Sequence, residues 1–375
     1  MKKSLFLAMA AVALLSGCSK DDGGISIDNG EGTDNDNSPV MIQLGTDLVT
    51  TNTAQTRTAV TQWDNTKVGI LGLAKNTDIA NWDIANQNTT CALPNVEGTI
   101  ANNTTAAAVT FANSYYYPLD NSINYSFFGY HPYVATAGTG TNTIAVNNDV
   151  VTVTYNDFNG SQDILWGSVK AVAKQGTTDT QNTYDGFNAR YFRKTDANGT
   201  TPDITFNHQL VQLKFTVTAG AEDVTNLSVS SIKMINMPSA VTLTVADKAT
   251  EANEGNISIT AGNNEYILST GDGVTPATAV AVTGANKAVM GDCIMLPVEA
   301  AVDGNFKAKI KLTLNNSDIP ESEITITPPT TGATTAFTAG YSYNINLTIN
   351  GLKEIQVTAT LAEWKNGGDS DIEIN

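Results

Sequence analysis

Ile204-Thr205-Phe206-Asn207-His208-Gln209-Leu210-Val211-Gln212-Leu213-Lys214-Phe215-Thr216-Val217 alternates apolar and polar residues along its length, which is the pattern of β-strand rather than helix. Its apolar positions are even-numbered up to Leu210 and odd-numbered from Val211. Strand side chains point alternately to opposite faces, so this phase change turns the buried face over. A β-bulge, or a bend that carries the chain from one sheet into another, accommodates it at least cost.

Short alternating runs of the same kind fill the chain on both sides, separated by Asn, Gly, Asp and Pro. Strands are expected at Val68 to Leu73, Ala107 to Phe111, Tyr125 to Tyr130, Val150 to Tyr155, Leu227 to Met234, Val241 to Val245, Ile257 to Thr260, Ile294 to Val298, Phe306 to Leu314 and Ile324 to Ile326. Tyr341, Tyr343, Ile345, Leu347 and Ile349 alternate strictly, and Gly351 permits a turn into Ile355, Val357, Ala359 and Leu361, so the two runs form a hairpin. No amphipathic stretch of three helical turns stands out. Strands without intervening helices build antiparallel sandwiches. With 375 residues the chain exceeds what one core usually fills, so two domains are expected. The polar stretch Lys174 to Asp203 marks the boundary, giving domains at 58–203 and 204–375.

Composition agrees. Charged residues are 15% of the chain, against about 25% in typical soluble proteins, and Thr, Asn, Ser and Gly replace them. Thr loses side-chain freedom in helices and Asn competes for backbone hydrogen bonds there, whereas strands and turns accept both. The 37 acidic and 20 basic residues give a net charge of -17, which repels phosphate backbones. Arg57, Arg190 and Arg193 are the whole arginine complement, too few for a phosphate-binding cluster. Nucleic acid is therefore excluded as a partner.

The N-terminus reads as an address. Lys2 and Lys3 precede an apolar run, Leu5 to Leu15, too short to span a bilayer, so residues 1–17 form a signal peptide. Leu15-Ser16-Gly17-Cys18 resembles a lipobox, making Cys18 the acylated first residue and outer-membrane lipid its partner. Residues 19–39 are Asp-, Asn- and Gly-rich, a solvated tether, and 18–57 together form a tether and propeptide. Val40, Ile42 and Leu44 alternate as a short strand. No Lys or Arg lies between Lys20 and Arg57, so Arg57–Thr58 is a conspicuous bond for a trypsin-like protease. On spacing alone an exposed Arg in a polar loop is commonplace and carries no such role.

Chemistry is thinly represented. The carboxylates sit mostly in turn contexts such as Asp120-Asn121 and Gly271-Asp272-Gly273, where they cap turns. His131 and His208 are remote from each other in sequence and no nucleophile motif accompanies them. Cys91 and Cys293 fall in different expected domains and read as buried thiols. Tyr115-Tyr116-Tyr117 and Trp82 suggest either a sugar-stacking platform or ordinary cross-strand packing, the simpler of the two. No catalytic residue, metal site or cofactor is expected, and an enzyme is not indicated.

Taken in order, Cys18, Thr56-Arg57, Trp63, Val68-Gly69-Ile70, Asp163-Ile164-Leu165-Trp166-Gly167, Ile204 to Leu210, Phe337-Thr338-Ala339-Gly340-Tyr341-Ser342-Tyr343 and Glu363-Trp364 resemble the fimbrillin family of type V pili. The resemblance implies an all-β chain of two antiparallel transthyretin-like β-sandwich domains. It further implies export to the cell surface as a lipoprotein, cleavage after Arg57, removal of a first strand matching Val40 to Leu48, and head-to-tail polymerisation with other pilus subunits by strand exchange. The donor strand would lie within Ile355 to Asn375, with Ile355, Val357, Ala359, Leu361, Ile372 and Ile374 as its apolar positions. The alternative is a surface lipoprotein, pilus-tip adhesin or anchor subunit that captures a host glycan or protein ligand.

Overall fold

The computed structural model describes residues 38–49, 60, 62–74, 81–101, 106–119, 123–136, 140–170, 187–189, 192, 201–220, 225–282, 288–331, 334–350 and 354–362. Among them the strands run, in order, β1 (Gly45–Leu48), β2 (Thr66–Ala74), β3 (Cys91–Ile100), β4 (Ala107–Phe111), β5 (Tyr125–His131), β6 (Thr143–Asn147), β7 (Val150–Tyr155), β8 (Leu165–Val169) and β9 (Asp203–His208). They continue as β10 (Val211–Ala219), β11 (Leu227–Met237), β12 (Ala240–Asp247), β13 (Ile257–Thr260), β14 (Asn264–Ile267), β15 (Val280–Ala281) and β16 (Ala288–Leu296). The last are β17 (Phe306–Leu314), β18 (Ser317–Asp318), β19 (Ser322–Ile326), β20 (Thr330–Thr331), β21 (Thr334–Thr335), β22 (Ser342–Asn350) and β23 (Glu354–Ala362). Among the described residues helix is limited to two short 3-10 turns, Glu251–Asn253 and Val298–Ala300, and to Ala189 and Phe192. The chain is all-β, as its composition requires.

Seven strands close into a barrel in the order β1-β4-β3-β2-β5-β8-β9. Two further sheets, β16-β10-β22-β23 and one built on β14-β11-β17, face each other across the C-terminal core. The phase change at Leu210/Val211 is where the chain leaves the barrel: β9 pairs with β1 and β8, β10 with β16 and β22. Strand β9 therefore pairs with strands of the first half, and the change of sheet falls at Gln209–Leu210. Most neighbouring strands are antiparallel, and β1 runs parallel to β9 and β10 parallel to β22. The C-terminal hairpin forms as expected, with Ile349 opposite Ile355 and Tyr343 opposite Leu361.

Strand β3 was not anticipated, because Pro94 and Asn95 interrupt its alternation. The chain accommodates them with register shifts against β2 and a left-handed Asn95, at φ 48°. The Asn95 amide then donates to the Val134 carbonyl at 2.8 Å and accepts from the Tyr130 hydroxyl at 2.7 Å, so the irregular residue also satisfies buried polar groups.

Strands β2 and β5 are buried on both faces. Val68 and Ile70 point into the barrel with Tyr125 and Phe127, while Leu71 and Leu73 join the larger core with Phe128 and Tyr130. That is why Val68 to Leu73 reads as a nearly continuous apolar run rather than a strict alternation. The halves are sewn together by an antiparallel sheet, β13-β12-β7-β6, in which β7 of the first half pairs along β12 of the second. Trp166 of β8 reinforces the seam: its indole N–H donates to the Val245 carbonyl at 2.8 Å. Its ring lies where a Cβ on Gly255 would come within 2.6 Å, and Gly255 holds φ +80°. Lys170 pairs there with Glu254 at 2.6 Å.

Trp166→Ala should therefore lower stability by about 3 kcal/mol, the usual scale for emptying an aromatic site, and Gly255→Ala should lower it through both strain and collision; thermal melts of the two variants check this. Cys91 and Cys293 are separate buried thiols, and burial pushes the Cys91 thiol up to about 12. The thiolate is the reactive form, so Cys91 should resist iodoacetamide at pH 8 in the native protein and react once guanidinium unfolds it, as mass spectrometry would record.

Candidate functional site

The barrel is closed by one short strand. Strand β1 lies between β4 and β9, antiparallel to β4 through Gly45↔Ala108 and Thr46↔Ala107, and parallel to β9 from Gly45↔Asp203 to Leu48↔Phe206. Its backbone bonds both neighbours. Val109 N–H donates to the Leu44 carbonyl at 2.9 Å, Gly45 N–H to Pro202 at 2.9 Å and Val49 N–H to Phe206 at 3.0 Å. The segment before it continues the pairing, with Ile42 N–H donating to Tyr115 at 2.8 Å and Tyr117 N–H to Val40 at 2.9 Å.

Ile42, Leu44 and Leu48 enter the barrel core and are only 3%, 2% and 3% exposed. Thr46 takes the remaining inward position, where its hydroxyl donates to the Ala107 carbonyl at 2.9 Å. Full burial of an Ile or Leu side chain contributes about 1.5–3 kcal/mol, so three contribute on the order of 5–8 kcal/mol. Without this strand, β4 and β9 would each present a row of unpaired backbone groups beside an open core.

Outside β1 runs a groove of about 910 Å³, whose lining includes Met41, Phe111 and Tyr115 at one end and Asp47, Asp203 and Thr205 at the other. The sugar-stacking platform does not assemble on it. Trp82 is buried, donating its indole N–H to Ala74 at 2.9 Å, and Tyr117 is core, stacked on Phe192 at 5.3 Å. Tyr116 alone of the three tyrosines is widely exposed. Cross-strand packing accounts for the other aromatics.

Of the expected site residues, Cys18, Arg57, Thr58, Ile372 and Ile374 lie outside the described residues. Ile355, Val357, Ala359 and Leu361 lie on β23, opposite Ile349, Leu347, Ile345 and Tyr343 of β22. They pack against the C-terminal core but stay half-buried, because β23 is the edge strand of its sheet.

One likeness escaped the sequence reading. Residues 42–48 are Ile-Gln-Leu-Gly-Thr-Asp-Leu and residues 355–361 are Ile-Gln-Val-Thr-Ala-Thr-Leu. The inward positions of β1 and its lead-in, Ile42, Leu44, Thr46 and Leu48, correspond one by one to Ile355, Val357, Ala359 and Leu361. Alternating apolar residues are too common for such a repeat to be noticed until the two segments are seen to be strands with matched inward faces.

Residues 56–364 match the fimbrillin-like family, a span that leaves out β1 and takes in β23. Among solved structures, a fimbrial protein from Bacteroides vulgatus is 16% identical, with 86% of this chain and 99% of that one covered at a TM-score of 0.49. The fimbrial anchor protein Mfa2 from Porphyromonas gingivalis is 9% identical over 87% of this chain and 100% of its own, at 0.36. A fimbrial assembly protein from Parabacteroides distasonis is 10% identical over 86% and 99%, at 0.38. No curated protein matches the sequence. With its matched span covering most of its length, this chain belongs to the fimbrillin-like family.

Proposed function

We propose that the chain is a structural subunit of a cell-surface fimbria, not an enzyme. It is exported to the outer membrane as a lipoprotein acylated at Cys18, cut after Arg57, and polymerised head to tail when a strand of another subunit takes the place of β1. The observation that carries this reading is that one barrel-closing strand, β1, and a C-terminal edge strand, β23, carry matching runs of inward residues.

The exchange is favourable on two counts. The incoming strand restores the ladder to β4 and β9, as in strand addition generally. It also moves an apolar rank that is half-buried on β23 into positions where Ile42, Leu44 and Leu48 are almost fully buried. Matching Ile355 to Ile42 places Thr358 at Gly45, where a Cβ would lie 1.7 Å from Asp203 Oδ1. The obstacle is the tip of a flexible side chain, so Asp203 turns aside and its carboxylate can accept from the Thr358 hydroxyl. A contact that is head to tail and does not close propagates as a filament.

Trypsin acting on purified precursor should release the segment ending at Arg57, leave a fragment that begins at Thr58, and yield detergent-resistant oligomers; N-terminal sequencing and gel mobility read both, and a clean cut that leaves a permanent monomer would overturn the proposal. Leu44→Ala should destabilise the precursor by about 2–5 kcal/mol while leaving the matured polymer's melting unchanged, since Leu44 has been removed by then. Val357→Asp should fold and be cut normally yet remain monomeric, because strand exchange would bury a carboxylate; polymers formed by this variant would exclude β23 as the donor.

A further inference from the structure

Two of the stretches that carry the family resemblance, Asp163 to Gly167 and Ile204 to Leu210, meet in a contact that strand exchange alone does not call for. Asp163 Oδ2 accepts from His208 Nδ1 at 2.8 Å and from the backbone N–H of Val60 at 3.0 Å. The Asp163 and His208 side chains are 1% and 2% exposed. This one carboxylate oxygen therefore joins three segments: the lead-in to β8, the end of β9, and the chain just downstream of the Arg57–Thr58 bond.

The position of β9 gives the contact its consequence. Strand β9 is held on one side by β1 through four residue pairs, Gly45↔Asp203 to Leu48↔Phe206. On the other side β8 supplies only two, Leu165↔His208 and Trp166↔Asn207, with Gln209 N–H donating to the Ile164 carbonyl at 2.8 Å just beyond. When β1 is removed, Asp203 to Phe206 lose their ladder and depend on whatever fixes the two ends of the strand. The buried pair fixes one end. It also holds Val60, which precedes Trp63, itself fully buried and edge-on to Phe206 at a centroid distance of 5.3 Å.

We propose that Asp163 and His208 form a clasp that keeps β9 and the new N-terminal segment in place while the β1 position is empty. Asp163 is then a positioning residue for strand exchange, acting through His208 and Val60 rather than by touching the donor. The inference rests on the strand-exchange reading and adds to it what preserves the acceptor between cutting and refilling. A buried polar group that loses its hydrogen-bond partner is left unsatisfied, so the clasp fails as a unit.

The test uses the purified precursor, trypsin, and a fluorescent peptide of residues 354–362 in excess. Uncut Asp163→Leu, which has no acceptor, should show wild-type deuterium uptake across 203–208, because β1 still holds β9. After cutting and removal of the segment ending at Arg57, wild-type β9 should stay protected and bind the peptide, whereas Asp163→Leu should lose protection there and bind at least tenfold more weakly. His208→Gln, whose amide can still donate to Asp163, should retain binding that His208→Ala loses. Cut Asp163→Leu that binds as tightly as wild type would overturn the clasp and leave strand exchange standing. Cut wild-type protein that binds no peptide would overturn strand exchange itself and the clasp's role with it. If Asp163→Leu fails to fold uncut, wild-type exchange decides alone: β9 amides that exchange after cutting at the rate of an unstructured chain would overturn the proposal.

Discussion

A β-strand cannot end its ladder inside a protein without cost, and the barrel depends on that constraint at one place. Strands β4 and β9 face each other across a gap one strand wide, and β1 satisfies both edges while filling the core beneath. The filler is short and lies beyond the Arg57–Thr58 bond from the rest of the fold. A sandwich whose closing strand is an interior piece of chain cannot lose it; one whose closing strand lies near the terminus can. The same hydrogen bonds that hold β1 thus define, strand for strand, what the proposed replacement would have to supply.

Losing a strand would be ruinous if the halves were independent. They are not, because β7 is paired with β12 along most of its length and Trp166 binds β8 to the same sheet. The larger core also reaches into the first half through Leu71, Leu73, Phe128 and Tyr130. Strands β2 and β5 are therefore secured from the face opposite the barrel, and the damage from removing β1 is confined to β4, β9 and the space between them.

Much of this architecture was legible in the sequence, and the failures have physical causes. Alternation located Ala107–Phe111, Val150–Tyr155, Ile257–Thr260 and Phe306–Leu314 to the residue, because each has one dry face and one wet one. The phase change at Leu210/Val211 announced the crossing between sheets. Alternation is silent about partners, so it could not show that β9 belongs to the barrel or that β7 joins β12. Strand β3 was hidden by Pro94 and Asn95, whose bulge is stabilised by tertiary contacts with Tyr130 and Val134. The candidate site was half visible: the strand near Val40 to Leu48 and the C-terminal hairpin could be read, but not that Asp163, 45 residues from His208, would reach both that residue and Val60.

Under the proposed strand exchange, tethering would keep an uncut chain monomeric. While β1 is covalently attached it competes for the slot as an intramolecular ligand, at an effective concentration of about millimolar. A donor strand on another subunit competes at its bulk concentration. With donors at about micromolar, the tether favours β1 by roughly a thousandfold, or about 4 kcal/mol, before any difference in fit is counted. On the proposed reading, cutting at Arg57–Thr58 would abolish that advantage and leave the contacts of β1 in the barrel as they are. The resident strand then holds its place by affinity alone, against a rival whose inward residues match it closely and whose present site buries them only in part. In this mechanism proteolysis changes no interaction in the folded core. It changes which of two similar strands the slot retains.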